Sequence, residues 1–328
     1  MPVTGQTTTG LRAEAVVSLI GNTPLVPLRF EPEGVTVYAK CEFLNPSGSI
    51  KDRLAKTIFL DARKRGLLKP NSIVLECSSG NTGIAMAMLG AAFGHRVAIL
   101  MSAGASEERR MLIRQFGAEL ILFDSVGRYQ TGIEISKKMA AQDGRYFLPC
   151  QFENPLNVED HELGTGVEIL QQAGGRIDAF VSGFGTGGTL AGCGRAIKHR
   201  WPSARILAME PAEPVTPPGE CPCCYCIEGV ADGFIPELLK SAPIDGKVKV
   251  SSADAQAMAV RLQREFGLLV GTSSGANVVA ALSVASDLGS GARVITMLCD
   301  RAERYFSTRL FVESSSASPK HQAAVVLK

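Results

Sequence analysis

The stretch Asn45-Pro46-Ser47-Gly48-Ser49-Ile50-Lys51-Asp52-Arg53 places a lysine where the strand-like run Val35–Lys40 breaks and a helix opens. Pro and Gly turn the backbone there, and Ser47 or Ser49 is placed to cap the helix. Lys51 then falls near a helix N-terminus, where the dipole disfavours an ammonium. An amine of depressed pKa is what attack on a carbonyl requires. The competing reading is a solvated lysine in a polar turn.

Three strand–loop–helix junctions are rich in Gly, Ser and Thr: Glu76-Cys77-Ser78-Ser79-Gly80-Asn81-Thr82-Gly83, Gly183-Phe184-Gly185-Thr186-Gly187-Gly188-Thr189, and Gly271-Thr272-Ser273-Ser274-Gly275. Backbone N–H groups at a helix start, with small side chains that permit close approach, form anion sites. The second loop has two other readings. Gly183, Gly185 and Gly188 satisfy G-x-G-x-x-G after a strand, with Glu210 ending the next strand, which is the dinucleotide fingerprint of an NAD(P)-binding oxidoreductase. The glycines also suit tight strand–helix packing. A monophosphate cofactor needs the same glycines, and a dinucleotide enzyme leaves Lys51 and the other two loops unexplained.

The elements that position these loops alternate. Strands are expected at Ser72–Leu75, Arg96–Met101, Ala118–Phe123, Tyr146–Gln151, Asp178–Ser182, Arg205–Glu210, Lys247–Val250 and Arg293–Met297. Helices are expected at Leu54–Gly66, Thr82–Phe93, Glu107–Phe116, Gln130–Ala141, Glu162–Ala173, Gly187–His199, Ala253–Phe266 and Ser274–Asp287. Such alternation specifies α/β units with mostly parallel sheets, and ligands in such sheets sit at the carboxyl ends of strands. Residues 1–15 read as a loosely held polar arm, with a boundary between two units near Gln151–Asp160.

With 328 residues, 45% hydrophobic and 20% charged, the chain has the composition of a soluble globular enzyme of two domains. A net charge of +2 gives no reason to expect nucleic acid or a membrane surface as partner. The longest uncharged run, Phe266–Ser286, is broken by Gly, Thr, Ser and Asn, and the N-terminus lacks the apolar core of a signal peptide. Nine cysteines, five of them scattered in apolar contexts, suit a reduced cytoplasm. The other four, Cys221, Cys223, Cys224 and Cys226, share a Pro-rich loop. Their C-x-C-C-x-C spacing is unlike the C-x₂-C pairs of zinc sites, so a loop of reduced thiols is expected and no metal.

Read in order, GNTPL, NPSGSIKDR, SSGNTG, QFENP, GTGGT and GTSSGA resemble the β-family (fold type II) of pyridoxal-phosphate enzymes, over about residues 12–311. Within that family the similarity is to O-acetylserine sulfhydrylases (cysteine synthases) and the cystathionine β-synthase core. The resemblance implies two three-layer α/β units of tryptophan-synthase-β type. Residues 45–152 would form a small mobile domain, 12–44 plus 153–311 a large cofactor-binding domain, and 312–328 a tail. It implies pyridoxal 5'-phosphate as cofactor, held by Lys51 as a Schiff base. Asn81 would meet the ring hydroxyl, Gly185, Thr186, Gly187, Gly188 and Thr189 the phosphate, and Ser273 the ring nitrogen. Ser78, Ser79, Gly80, Asn81, Thr82 and Gln151 would bind the substrate carboxylate. Implied too is a cytoplasmic homodimer that replaces the β-substituent of an L-serine derivative with sulfide or a thiol, through an α-aminoacrylate. Asp52-Arg53 and Asp300 lean toward the cystathionine synthase side, so condensation of serine with a thiol, or use of an amine nucleophile, stays open. Glu228-Gly229-Val230-Ala231-Asp232-Gly233 stands where sulfhydrylases carry GIGAG. Ser273 also reads as an N-cap for a helix from Ser274.

Overall fold

The computed structural model describes residues 8–31, 34–123, 129–213, 227–230, 234–308 and 311. The four-cysteine loop, residues 231–233 and the tail beyond 311 lie outside the described residues. The chain runs α1 (Thr8–Ser18), β1 (Leu25–Phe30), β2 (Val35–Cys41), α2 (Lys51–Lys64), β3 (Ile73–Cys77), α3 (Asn81–Phe93) and β4 (Arg96–Ser102). It continues through α4 (Glu107–Gln115), β5 (Glu119–Phe123), α5 (Tyr129–Gln142), β6 (Tyr146–Phe147) and α6 (Leu156–Asp160). A π-helical turn (His161–Thr165) joins α6 to α7 (Gly166–Gln172), followed by β7 (Ala179–Gly183), α8 (Gly188–Arg200) and β8 (Arg205–Pro211). Last come β9 (Gly246–Val250), α9 (Ser252–Phe266), α10 (Thr272–Leu288), β10 (Val294–Leu298) and a 3₁₀ turn at Ala302–Tyr305.

Two sheets result, ordered β5-β4-β3-β6 and β1-β2-β10-β7-β8-β9. Among the described residues, every pairing of these strands is parallel except β1 with β2. Parallel strands buried on both faces carry apolar residues at successive positions, and the period of two divides these between layers. On β4, Val97, Ile99 and Met101 face α2 and α3, while Ala98 and Leu100 face α5. On β8, Leu207 and Met209 join the core under α9 and α10, while Ile206 and Ala208 meet α7 and α8. Each unit therefore has the expected three layers.

Four boundaries differ from the sequence reading. The arm is helical from Thr8, because Ala13, Val16, Val17 and Ile20 follow the i, i+3, i+4, i+7 spacing and pack in one core with residues of α3. Helix α2 opens at Lys51 itself. The strand after Tyr146 stops at Phe147, and Cys150 soon after adopts φ 55° and turns the chain. The helix expected at Glu162 begins six residues earlier, at Leu156, and passes through the π turn.

A buried ion cluster ties the Lys51 turn to three other segments. Arg53, 2% exposed, donates from Nε (2.7 Å) and one amino group (2.8 Å) to Glu42, just past β2. Its guanidinium also donates to both oxygens of Glu168 on α7, at 2.8 and 2.7 Å. Lys40, at the end of β2, meets Glu168 at 2.7 Å. The Gly21–Thr23 turn closes the cluster through Asn22 N–H to Glu168 (3.0 Å) and Thr23 Oγ1 to Glu42 (2.6 Å). A guanidinium bidentate to two carboxylates is a strong, geometrically exacting arrangement.

These partners, with Arg53 foremost, pull the Glu168 carboxyl down to about 2 against the opposing effect of burial. Its unfolded value is the ordinary 4.5, so this support is complete above that pH and is lost as pH falls toward 2. Arg53→Leu, which removes the guanidinium from buried Glu42 and leaves half-buried Glu168 to the charge of Lys40, should cost about 3–5 kcal/mol by chemical denaturation at neutral pH. Glu168→Gln should flatten the acid limb of the stability profile; an unchanged limb would assign acid unfolding to other groups.

Candidate active site

The strands aim four loops at one place. The exits of β2, β7 and β10 in the large sheet and of β3 in the small one converge, as carboxyl ends of parallel strands do. They enclose a cleft of about 870 Å³, its open mouth included, lined by Lys51, Ser78, Ser79, Asn81, Thr82, Gln151, Gly185, Thr186, Gly187, Thr189 and Ser273 among others. The structure thus brings together nearly all the residues singled out in the sequence.

Lys51 is pinned through its neighbours. Ser49 Oγ accepts the Lys51 N–H at 3.3 Å, and Ile50 N–H donates to Cys299 O at 2.9 Å. Neither serine is the N-cap of α2, which is Ile50 with no side-chain cap bond; Ser47 turns to Asp52, whose carboxylate takes its N–H at 2.7 Å and its hydroxyl. Gly48 has φ 87°, and a Cβ there would lie 2.5 Å from Arg304. Only glycine makes this turn, since both the left-handed backbone and the close approach forbid a side chain.

The loop after β3 forms a notch in the cleft wall at the start of α3, lined by Ser78, Ser79, Asn81 and Thr82. Ser78 Oγ accepts the Gly80 and Gly83 N–H groups at 3.1 and 3.0 Å, folding the loop onto α3. Thr82 Oγ1 donates to Gln151 Oε1 at 2.6 Å, and Gln151 Nε2 donates to Cys77 O at 2.9 Å. Gly80 supplies backbone rather than wall: a Cβ would sit 2.3 Å from Arg109 Cδ. Asn81 lines the cleft while its amide bridges the two units, donating to Asp300 Oδ2 at 2.6 Å and accepting from Arg304.

The loop after β7 leads into the N-terminus of α8, with Gly187 left-handed (φ 87°) at the cap position. Gly188 lies against Asn157, whose Oδ1 would be 2.0 Å from a Cβ, and Asn157 Nδ2 donates to Thr186 Oγ1 at 3.0 Å. This helix start opens on the cleft, with Gly187, Thr189 and Leu190 in the lining and the Gly188 N–H held by Thr186 Oγ1 at 3.5 Å; a helix N-terminus so placed favours an anion. Across the cleft α10 begins at Thr272 with Gly271 as its cap, so Ser273 stands inside the first turn and is not the N-cap. Ser273 is 6% exposed and bonds the Cys299 thiol, which burial above all pushes up to about 12. Both groups are therefore neutral.

Several residues of the site carry no local signal. Arg109 spans the mouth, donating to Ser106 Oγ (2.8 Å) and Glu228 (2.6 Å) with its guanidinium 5.2 Å from the Tyr305 ring centroid. Asn277 accepts the Gly183 N–H at 2.7 Å, and Tyr305 donates to Asp300. Beneath the notch, Glu76 on β3 is 5% exposed; it accepts the Cys77 N–H at 2.9 Å and the Gln151 N–H at 3.3 Å. Among the described residues no cluster of His, Cys, Asp and Glu suited to a metal is present, and no helix is long and apolar enough to cross a membrane.

Residues 16–300 match the family model described as pyridoxal-phosphate dependent enzyme. The chain is 43% identical to a cysteine synthase of Staphylococcus aureus over 300 residues, 90% of this chain and 96% of that protein. It is 42% identical to the O-ureido-L-serine synthase of Streptomyces lavendulae, over 90% of this chain and 92% of the relative. Among solved structures, a mutant hydrogen sulfide-producing enzyme of Fusobacterium nucleatum, complexed with an α-aminoacrylate intermediate, is similar with a TM-score of 0.85. That likeness is 38% in sequence and covers 92% of each chain.

Burial pushes the Glu76 carboxyl up to about 8, outweighing the two N–H donors. The unfolded chain releases this proton near 4.5 and the folded chain keeps it until about 8, so the folded state binds more protons between these values. Stability should accordingly fall as pH rises across that window. Denaturation midpoints of the wild type should show the slope and Glu76→Gln should lack it; equal slopes would place Glu76 outside the titration.

Proposed function

The chain belongs to the pyridoxal-phosphate dependent enzymes and is an enzyme of the cysteine synthase type, and from that premise we propose that it replaces the β-substituent of O-acetyl-L-serine or O-phospho-L-serine with sulfide or a thiol. The observation that carries the reading is one cleft walled by a lysine amine, a helix N-terminus and a carboxylate notch. The donor set fits the cofactor: an amine for its aldehyde, the α8 N-terminus for its phosphate, and a neutral hydroxyl, Ser273, for its ring nitrogen. Lys51 would hold the cofactor, with Gly185–Thr189 around the phosphate and Asn81 toward the ring hydroxyl. When bound, the cofactor supplies an electron sink for charge developing at the amino acid's Cα.

The chain's own groups supply the rest. Ser78, Ser79, Gly80, Asn81, Thr82 and Gln151 orient the substrate carboxylate against the start of α3, where N–H groups and the dipole favour an anion. The Thr82–Gln151 bond holds that notch rigid before substrate arrives. Lys51, standing at the opening of α2, takes the Cα proton and later returns it. A hydroxyl at Ser273, unlike a carboxylate, does not hold the ring nitrogen protonated, which moderates the sink and favours prompt loss of the β-group. Arg109 and Glu228, paired at 2.6 Å, line the same cleft.

The notch belongs to the small sheet's side and the phosphate cradle to the large one, so substrate docking joins them. We assign residues 45–152 as a small domain that moves against residues 12–44 plus 153–311, in a cytoplasmic homodimer. Amide exchange over residues 77–110 should slow when a donor amino acid is bound to the holoenzyme; unchanged exchange would rule closure out.

The experiment that tests the function supplies the holoenzyme with O-acetylserine, O-phosphoserine or serine plus sulfide and measures L-cysteine. O-acetylserine should be consumed, and Lys51→Ala should lower the rate by about 10²–10⁴-fold while retaining the fold. No cysteine from any donor, or a Lys51→Ala rate within about twofold of wild type, would overturn the reading.

A further inference from the structure

Thr189, the second residue of α8, lines the cleft at the helix start, and its hydroxyl is not free to turn. Its Oγ1 lies 3.1 Å from Nε2 of His161, whose other ring nitrogen, Nδ1, lies 2.9 Å from Thr165 Oγ1. His161 and Thr165 are the first and last residues of the π-helical turn, and the imidazole is 2% exposed. Glycines build this contact. A Cβ on Gly192 would lie 2.6 Å from His161 Cβ, and one on Gly166, the first residue of α7, would lie 2.6 Å from Ala196 Cβ, so the missing side chains let α8 pack close against the π turn and the start of α7. π turns inserted in helices concentrate at functional sites.

Burial first, then the nearby charges of Arg53 and Lys51, keep the imidazole neutral, against the weaker pull of Glu168. A neutral imidazole has one N–H, so one ring nitrogen donates and the other accepts. If Nδ1 carries the proton it donates to Thr165, and Nε2 must draw the proton of Thr189. The Thr189 oxygen then shows only lone pairs to the cleft, where they repel an anion. If Nε2 carries the proton it donates to Thr189 Oγ1, and Nδ1 accepts from the Thr165 hydroxyl. The Thr189 proton is then left pointing at the cleft.

Resting on the reading that the cofactor phosphate sits at the α8 N-terminus, we propose that His161 is a positioning residue whose Nε2–H donates to Thr189 Oγ1 and so commits the Thr189 hydroxyl to donate to a phosphate oxygen. The polarity runs one way: Thr165 to His161, His161 to Thr189, Thr189 to the anion. His161 touches neither substrate nor cofactor, and its effect passes wholly through one hydroxyl.

Two measurements test this on the intact chain. In ¹⁵N NMR of the wild-type holoenzyme, the His161 resonances, assigned by their loss in His161→Gln, should show the neutral Nε2–H form. The Nδ1–H form, or an imidazolium at neutral pH, would overturn the proposal. The dissociation constant of pyridoxal phosphate is then measured for wild type, His161→Phe, Thr189→Val and the double variant. Each single change should weaken binding about tenfold, the worth of a hydrogen bond to a charged group. The double variant should be no weaker than the worse single one, because both remove the same bond. Independent penalties that multiply to about a hundredfold would reduce His161 to a packing residue and overturn the relay. Pyridoxal bound by the wild type as tightly as pyridoxal phosphate would instead overturn the phosphate cradle itself, and then neither substitution would alter affinity.

Discussion

A single buried guanidinium fixes the geometry of everything around it. Arg53 lies two residues past Lys51 and is gripped by Glu42 and Glu168, from segments far apart in the chain. A buried arginine left unpaired is far costlier than one paired on all sides, so the cluster forms complete or not at all. When it forms, it draws the end of β2, the Gly21–Thr23 turn, the first turn of α2 and the helix α7 to one point. The rotation of α2 about its axis is thereby set, and with it the direction of Lys51. Packing alone would set that rotation less strictly, because apolar side chains slide where bidentate bonds do not.

The site lies between two sheets that share no strand. Several contacts across the cleft are polar: Asn81 to Asp300 and Arg304, Arg109 to Glu228, Ser106 Oγ to Arg304 O at 2.7 Å. Contacts of this kind break and re-form against water at small net cost, unlike the apolar cores within each unit. Exchangeable bonds at the cleft suit an enzyme that admits an amino acid and then shuts water out. The Asn81 side chain is already occupied by Asp300 and Arg304, so a ligand that needs its amide competes with this bridge.

Much of this was legible in the sequence. Loops built from Gly, Ser, Thr and Asn advertise themselves because their conformations are local: Gly48 is required by a positive φ and Gly187 by another. Alternating strands and helices, and their three-layer packing, follow from periodicity. Boundaries failed where tertiary contact decided them. Helix α1 looked like a polar arm because its apolar stripe is only four residues long and needs α3 to bury it. The π turn at His161–Thr165 has no composition of its own. Arg109 and Asn277 stand far in sequence from the residues they serve, as His161 does from Thr189. Only the folded chain joins Arg109 to Glu228, separated by 119 positions. Arg53 was visible as a residue of the lysine turn, but its two carboxylate partners were not.

This fold would deliver Lys51, and no other amine, to the cofactor. Borohydride reduction of the holoenzyme, followed by proteolysis and mass spectrometry, reads that directly. The reduced pyridoxyl mass should reside on the peptide containing Lys51, and Lys51→Ala should carry none. The same mass on another lysine, with the Lys51 peptide unmodified, would contradict it.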